Sequence, residues 1–402
     1  MRRRVAITGL GVVSALGGDA AATWAGLVDG RVGIGPLTLF DAADERTGTA
    51  AEIRDPGPAP ALSRADRRRL SRGELFALRA ALEAVGDAGL GPGDLAEAGL
   101  LVGGGGGALL GAEDYVATRL RARPGHPSRV MGFFPGILTD RLAQILGCRG
   151  AVDTLLTACS SSTIAIGLAA ARVAAGAERI VVTGGAESLS RTTYGGFNAL
   201  RLVDPEPCRP FDRSRRGMSL GEGAAFLVLE DDAHARRRGA RIYAEVAGLG
   251  MTADGGHMTA PDPLGDGILR AARAALRDAG IGAEAVDHVN AHGTATEQND
   301  RSEACALRAL LGDRCDDVPV VSIKGMVGHC LGAAGAIEAF ATAMTLHTGI
   351  VPPTAGLSDP DPQCRLRFVR GRGQALAPCI ALSTSLGFGG NNGALVLRRA
   401  RS

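Results

Sequence analysis

Short β-branched runs alternate with Ala/Leu-rich runs along most of the chain. Strands are predicted at 5–10, 100–103, 179–183, 224–229, 242–249, 288–291, 320–323, 380–385 and 393–397. Helices are predicted at 74–88, 160–175, 264–279, 300–311 and 332–348. This alternation predicts an α/β architecture, with helices packed on mixed sheets. The basic run Arg236-Arg237-Arg238-Gly239 is followed by a fresh strand at Ile242. A boundary there divides the chain into halves 1–239 and 240–402. Each half carries a strand leading into a Gly/Ala-rich helix beside a candidate reactive residue, so the halves look related. A chain of 402 residues exceeds a comfortable single core.

Composition refines this reading. Hydrophobic residues make up 46% and charged residues 21%, as in a globular chain. Aromatics are only 3%, against 59 glycines, which favours closely approaching backbones over large aromatic pockets. A net charge of +2 gives no ground for a nucleic-acid partner. No run approaches the roughly 20 apolar residues of a membrane span. The start Met1-Arg2-Arg3-Arg4 mimics a secretory signal, but its apolar stretch is short and broken by Gly9 and Gly11. A first strand is the better reading. The eight scattered cysteines contain no C-x-x-C pair, so neither a zinc ribbon nor a thioredoxin-type motif is supported. They read as thiols of a reducing, cytoplasmic compartment.

Two glycine-rich stretches invite nucleotide readings. Gly9-Leu10-Gly11 lacks the third Gly of G-x-G-x-x-G, and the run 103–107 is not followed by Lys-Ser/Thr. Tight turns and close backbone approach explain both.

Four short motifs carry candidate chemistry. Cys159 lies between a β-rich stretch and a helical run, at a helix N-terminus whose free N–H groups favour a thiolate. Ser160 to Thr163 are placed to satisfy first-turn donors. His292, in Asn290-Ala291-His292-Gly293-Thr294, falls at a strand end, a usual exit point for catalytic side chains in α/β folds. Lys324 is the sole lysine among 44 basic residues, and His329 follows five positions later. A lysine is a compact point charge with three rotatable donors, which a planar guanidinium does not replace. Phe388 is flanked by glycines in Gly387-Phe388-Gly389-Gly390-Asn391, with its N–H open to an oxyanion and its ring free to act as a gate. Each motif alone also fits a structural role: a capped buried thiol, a satisfied core histidine, a tight helix start.

In this order, Cys…His…Lys-x-x-x-x-His…Gly-Phe-Gly-Gly resembles the elongating β-ketoacyl-(acyl carrier protein) synthases, the ketosynthases of fatty acid and polyketide assembly. The likeness covers nearly the whole chain and includes Gly184-Gly185-Ala186-Glu187, Arg209-Pro210-Phe211-Asp212, Gly221-Glu222-Gly223-Ala224 and His257-Met258-Thr259. It implies a thiolase-like fold of two α/β/α/β/α halves, assembled as a homodimer or as a heterodimer with a chain-length-factor-like subunit. It implies decarboxylative Claisen condensation, with substrates carried on the phosphopantetheine of acyl carrier protein and neither metal nor other cofactor.

The resemblance also assigns roles. Cys159 is the nucleophile, and the backbone N–H groups of Cys159 and Phe388 hold the oxyanion. His292 and His329 donate to the enolate, and Lys324 tunes them. Glu338 and Asp300 match the carboxylates that hold the lysine. Thr294 and Thr296 match pantetheine contacts, and Arg68, Arg69 and Arg201 match carrier-docking positions. An ordinary solvated face explains the run Arg67-Arg68-Arg69 nearly as well. Phe197 and Thr259 are expected in the acyl tunnel, with Gly389 and Asn391 beside the substrate. Gly106 stands where fatty acid ketosynthases often carry an apolar gate. Asn391 replaces a Thr, and the segment from Phe133 to Gly150 is shorter than in fatty acid enzymes. These departures lean towards a type II polyketide or polyene ketosynthase.

Three rivals fit less well. A degradative thiolase needs a second Cys in a C-x-G-x-G run, which neither Cys364 nor Cys379 provides. An initiating synthase uses Cys-His-Asn. A non-catalytic chain-length factor does not need Cys159, His292, Lys324 and His329 intact.

Overall fold

The computed structural model describes residues 3–57, 62, 70–104, 109–125 and 127–401. Arg68, Arg69 and Gly106 lie outside the described residues. The main sheet is built from β1 (Val5–Val13), β2 (Gly99–Gly103), β3 (Val152–Leu155), β4 (Ile180–Glu187), β5 (Gly223–Asp231), β6 (Ala244–Ala253), β7 (His288–Asn290), β8 (Pro319–Val321), β9 (Arg367–Phe368), β10 (Ile380–Gly387) and β11 (Asn391–Arg399). Across the sheet the order is β9-β8-β7-β10-β11-β6-β1-β5-β4-β2-β3. The run β1-β5-β4-β2-β3 is repeated by β6-β11-β10-β7-β8. The two runs meet at a short antiparallel ladder, Ala6 opposite Glu245 and Ile7 opposite Ala244.

Five helices matter for the site: α1 (Arg72–Asp87), α2 (Ser161–Ala175), α3 (Asp266–Asp278), α4 (Glu297–Leu311) and α5 (Ala334–Thr348). Strands β1, β2, β4, β5, β7 and β8 are buried along their whole length on both faces, which is why they read as continuous apolar runs. In β5, Leu227 and Leu229 join the core of α2 and α5, whereas Phe226 and Val228 join the core of α1. In β11, Leu395 and Leu397 face the central helices, and Ala394 and Val396 face α3 and α4. The period of two thus separates five layers, α/β/α/β/α.

Small residues set the layer spacing. A Cβ on Gly11 of β1 would sit 2.0 Å from the Ala80 carbonyl oxygen of α1. Its counterpart Gly250 of β6 would meet Ala271 O of α3 at 1.9 Å. The Gly9-x-Gly11 pair is therefore a packing device. The central helices touch near their starts, where a Cβ on Gly335 would lie 2.0 Å from Thr163 Oγ1. Contrary to the expectation from hydropathy, Ala158–Ala175 is long and apolar enough to cross a membrane by composition. It is 72% buried as the central core helix, which accounts for its apolarity.

Candidate active site

Cys159 lies in a 3-10 turn, Ala158–Ser160, that leads into α2. Ala158 takes left-handed backbone at φ 52°, a conformation that costs an L-residue about 1–2 kcal/mol. Side chains lock this turn: Ser160 Oγ donates to Thr157 O at 2.8 Å, and Ser161 Oγ accepts from Thr157 N at 2.9 Å. Ser162 does satisfy a first-turn donor, but on the other central helix, accepting from Ala336 N of α5 at 2.9 Å.

His329 enters from the matching position of the second half, just before the turn Leu331–Ala333 that starts α5. Its backbone N–H donates to Ser219 O at 2.7 Å. Its Nε2 is 3.1 Å from Cys159 Sγ, while Nδ1 is buried without a partner. His292 follows β7. Its backbone N–H and that of Gly293 donate to the two oxygens of Glu303 on α4, at 2.7 and 2.8 Å. The imidazoles stand edge-on, with centroids 5.1 Å apart and planes at 85°.

Lys324 is 1% exposed, in the single turn Lys324–Val327. Its Nζ contacts Glu338 Oε1, His292 O at 2.6 Å and His292 Nδ1 at 3.1 Å. Three ammonium hydrogens thus meet three acceptors. A neutral His292 that accepts at Nδ1 carries its proton on Nε2, facing the cavity. Glu338 is held in turn by Ser385 Oγ at 3.4 Å, which is bonded to Thr163 Oγ1 at 2.7 Å.

Burial dominates the electrostatics. It pushes the Cys159 thiol up to about 11, against the pull of Lys324 and of the Phe388 and Cys159 backbone N–H groups. The helix start therefore does not leave a resting thiolate; desolvation outweighs it. Burial, then Lys324, holds both His292 and His329 well below the usual imidazole range. The resting pair is a neutral thiol beside a neutral imidazole. The ligand atoms of Cys159, His292 and His329 lie within 4.8 Å of one another, close enough for a metal. The Lys324 ammonium beside His292 opposes a dication there.

Two cavities meet at Cys159. One, of about 290 Å³, is bordered by Thr259, Thr294, Thr296, Arg201 and both imidazoles. The other, of about 460 Å³, is bordered by Leu109, Phe133, Pro135 and Leu156. Cys159, Phe197 and Phe388 border both, and the two aromatic rings pack at 5.5 Å. They separate the more polar of the two chambers from the apolar one.

Several expected positions differ. Asp300 does not pair with Lys324; it faces Arg215 Nε at 3.4 Å and accepts from Phe211 and Ala295 N–H. Its place on the first turn of α4 turns it towards the 211–215 segment. Thr259 borders the first of these cavities and not the apolar one, and Gly389 N of the Phe388 loop donates to the neighbouring Met258 O at 2.7 Å. Gly389, at φ 80°, and Asn391, whose Nδ2 donates to Phe388 O at 3.3 Å, shape the Phe388 loop and border neither cavity. Arg201 is exposed at the polar rim. Glu303 and Arg215 were not anticipated. Their signal is a charged residue at a buried position.

Comparison with known proteins matches this geometry. The family models "Beta-ketoacyl synthase, N-terminal domain" and "Beta-ketoacyl synthase, C-terminal domain" match residues 2–235 and 243–358. The chain is 39% identical to 3-oxoacyl-[acyl-carrier-protein] synthase 2 of Synechocystis sp., over 99% of this chain and 98% of that one. The solved ishigamide ketosynthase/chain length factor superposes with a TM-score of 0.94 at 34% identity, over the full length of both chains. A type II PKS acyl-carrier protein in complex with its hexaketide-bound ketosynthase gives a TM-score of 0.90 at 29% identity, again over both full lengths. The fold is the thiolase-like one expected from the sequence.

Proposed function

The chain belongs to the beta-ketoacyl synthase family, and from that premise we propose how its own residues perform the condensation. The reaction is the decarboxylative Claisen condensation of a Cys-bound acyl chain with malonyl-acyl carrier protein.

In the first step the Cys159 sulfur attacks the acyl thioester carbonyl, and the pantetheine thiolate leaves with the thiol proton. The N–H groups of Cys159 and Phe388 stabilise the intermediate oxyanion. The acyl chain then occupies the apolar chamber. Next, malonyl thioester enters past Thr294 and Thr296. Its carboxylate carbon leaves as carbon dioxide, and the bonding pair moves onto the enolate. Nε2 of His292 and of His329 donate to the enolate oxygen. Finally the enolate carbon attacks the acyl-Cys carbonyl, the carbon–sulfur bond breaks, and Cys159 leaves as a thiolate that takes up one proton from solvent to restore the resting thiol. Each donor contributes about 3 kcal/mol to the barrier, by analogy with oxyanion-hole deletions.

The observation that carries this reading is the placement of Cys159, 3.1 Å from His329 Nε2, on the wall between a polar and an apolar chamber. Arg201 at the polar rim is the carrier-docking residue. Residues 1–239 and 240–402 are the two related halves. The substrate arm is phosphopantetheine, no other cofactor takes part, and the setting is cytoplasmic. The enzyme works with acyl carrier protein, as a homodimer or with a chain-length-factor-like subunit, in fatty acid or type II polyketide assembly.

The test is mass spectrometry after incubation with acyl-acyl carrier protein. An acyl adduct on Cys159, abolished in Cys159→Ala, is expected. An undiminished adduct in that variant overturns the assignment.

A further inference from the structure

Two non-glycine residues on separate segments, Phe211 at φ 64° and Ala295 at φ 67°, hold left-handed backbone. That conformation is unfavourable for any residue with a Cβ and persists only where the surroundings enforce it. One fully buried carboxylate enforces both. Asp300 Oδ2 accepts from Phe211 N at 2.7 Å, and Oδ1 accepts from Ala295 N at 3.1 Å. Arg215 pairs with Asp300 by charge, without a hydrogen bond between them. Its Nε lies 3.4 Å from Oδ2, its Nη1 donates to Asp361 Oδ2 at 2.8 Å, and its Nη2 donates to Glu297 O at 3.3 Å. Gly217 N closes the other side, donating to Ala295 O at 3.2 Å.

Ala295 sits between Thr294 and Thr296. Its left-handed turn brings their hydroxyls to 2.9 Å from one another, and both residues border the polar chamber. In helical backbone the two side chains would point apart, and in extended backbone they would share a face but stand about 7 Å from one another. We infer that Asp300, paired with Arg215, is a positioning residue for the substrate arm: it holds Ala295 left-handed so that Thr294 and Thr296 meet the phosphopantetheine together. This rests on the reading of those threonines as pantetheine contacts.

Asp300→Asn tests it, because an amide has one acceptor oxygen and cannot take both N–H groups. Ala295→Gly in the same chain supplies the rescue, since glycine adopts positive φ without strain. Three readouts separate the roles: KM and kcat for Cys159 acylation by an acyl-pantetheine thioester, alkylation of Cys159 by iodoacetamide, and the same pair for Thr294→Ala. Asp300→Asn and Thr294→Ala should each raise KM about tenfold with a smaller change in kcat. Iodoacetamide alkylation of Asp300→Asn should stay within about twofold of wild type, and Ala295→Gly should recover most of its KM. If Thr294→Ala leaves KM unchanged, the pantetheine reading fails. If it raises KM while Asp300→Asn does not, or Ala295→Gly gives no rescue, the positioning role alone fails. Should Asp300→Asn not fold, Arg215→Gln takes its place with the same expected split.

Discussion

Lys324 Nζ stands 3.1 Å from His292 Nδ1 and 2.6 Å from the carbonyl oxygen of the same residue. One ammonium thus fixes both the ring and the backbone of His292, with its third hydrogen on Glu338. A planar guanidinium cannot direct donors at three such acceptors from one nitrogen. Lys324→Arg should therefore still form acyl-Cys159 but lose malonyl decarboxylation by about 10²–10³-fold, the scale of lost oxyanion donors. Carbon dioxide release from labelled malonyl-acyl carrier protein, beside mass spectrometry of the acyl adduct, measures the split. Full condensing activity would refute the role given to Lys324.

The buried thiol makes a pH prediction. With Cys159 pushed up to about 11, its thiolate fraction at neutral pH is small and grows as pH rises. The iodoacetamide alkylation rate should climb steadily from pH 7 to 10 without a plateau. In Lys324→Met the loss of a nearby cation moves the thiol further up, so alkylation at pH 9 should slow. A plateau below pH 8 in the wild type would contradict this.

Both imidazoles are held well below their ordinary range by burial first and Lys324 second. They should remain neutral donors throughout the mildly acidic range. Decarboxylation by the enzyme should accordingly show no inflection near the ordinary histidine pKa of about 6.5. A kcat profile between pH 5.5 and 8 decides it; a fall centred near that value would show a titrating ring.

Glu303 links the His292 loop to stability. Burial raises its carboxyl to about 7, against the N–H groups of Gly293 and His292 and the Thr384 hydroxyl. A raised acid keeps its proton in the folded chain where the unfolded chain has lost it. The contribution is therefore full below the unfolded value near 4.5 and is lost as pH rises through about 7. The total lost is on the order of 3 kcal/mol. Urea unfolding from pH 5 to 7.5 should show this decline in the wild type, and Glu303→Gln should flatten it. An identical slope in both would exclude Glu303 as the source.

Much of this architecture was legible in the chain because the buried strands are apolar on both faces and the helices between them are Ala-rich. The strand 380–385 and the helix 332–348 were placed within a few residues of β10 and α5. The helix Ile137–Leu146 was missed, although Leu138, Leu142 and Leu146 recur every fourth residue on its buried face. Candidate chemistry was legible where a motif is contiguous, as at Cys159, His292 and the Lys324–His329 run. It was not legible where one carboxylate serves two distant segments. The resemblance assigns both Asp300 and Glu338 to Lys324, whereas the first turn of α4 directs Asp300 to Arg215 and only Glu338 meets the ammonium. Thr259 is another such case, since a loop residue's place on one or the other side of the Phe197–Phe388 pair is set by tertiary packing that its own motif does not encode.

The shared core of α2 and α5 bears on how the molecule comes apart. Each central helix belongs to a different half, yet Ile166 of one and Phe340 of the other lie in a single apolar cluster with strands from both. Separating the halves would expose that cluster on each side, so neither half retains a complete interior by itself. Two sequence units should therefore melt as one calorimetric transition, and Cys159 and His329 should part only when the whole molecule unfolds.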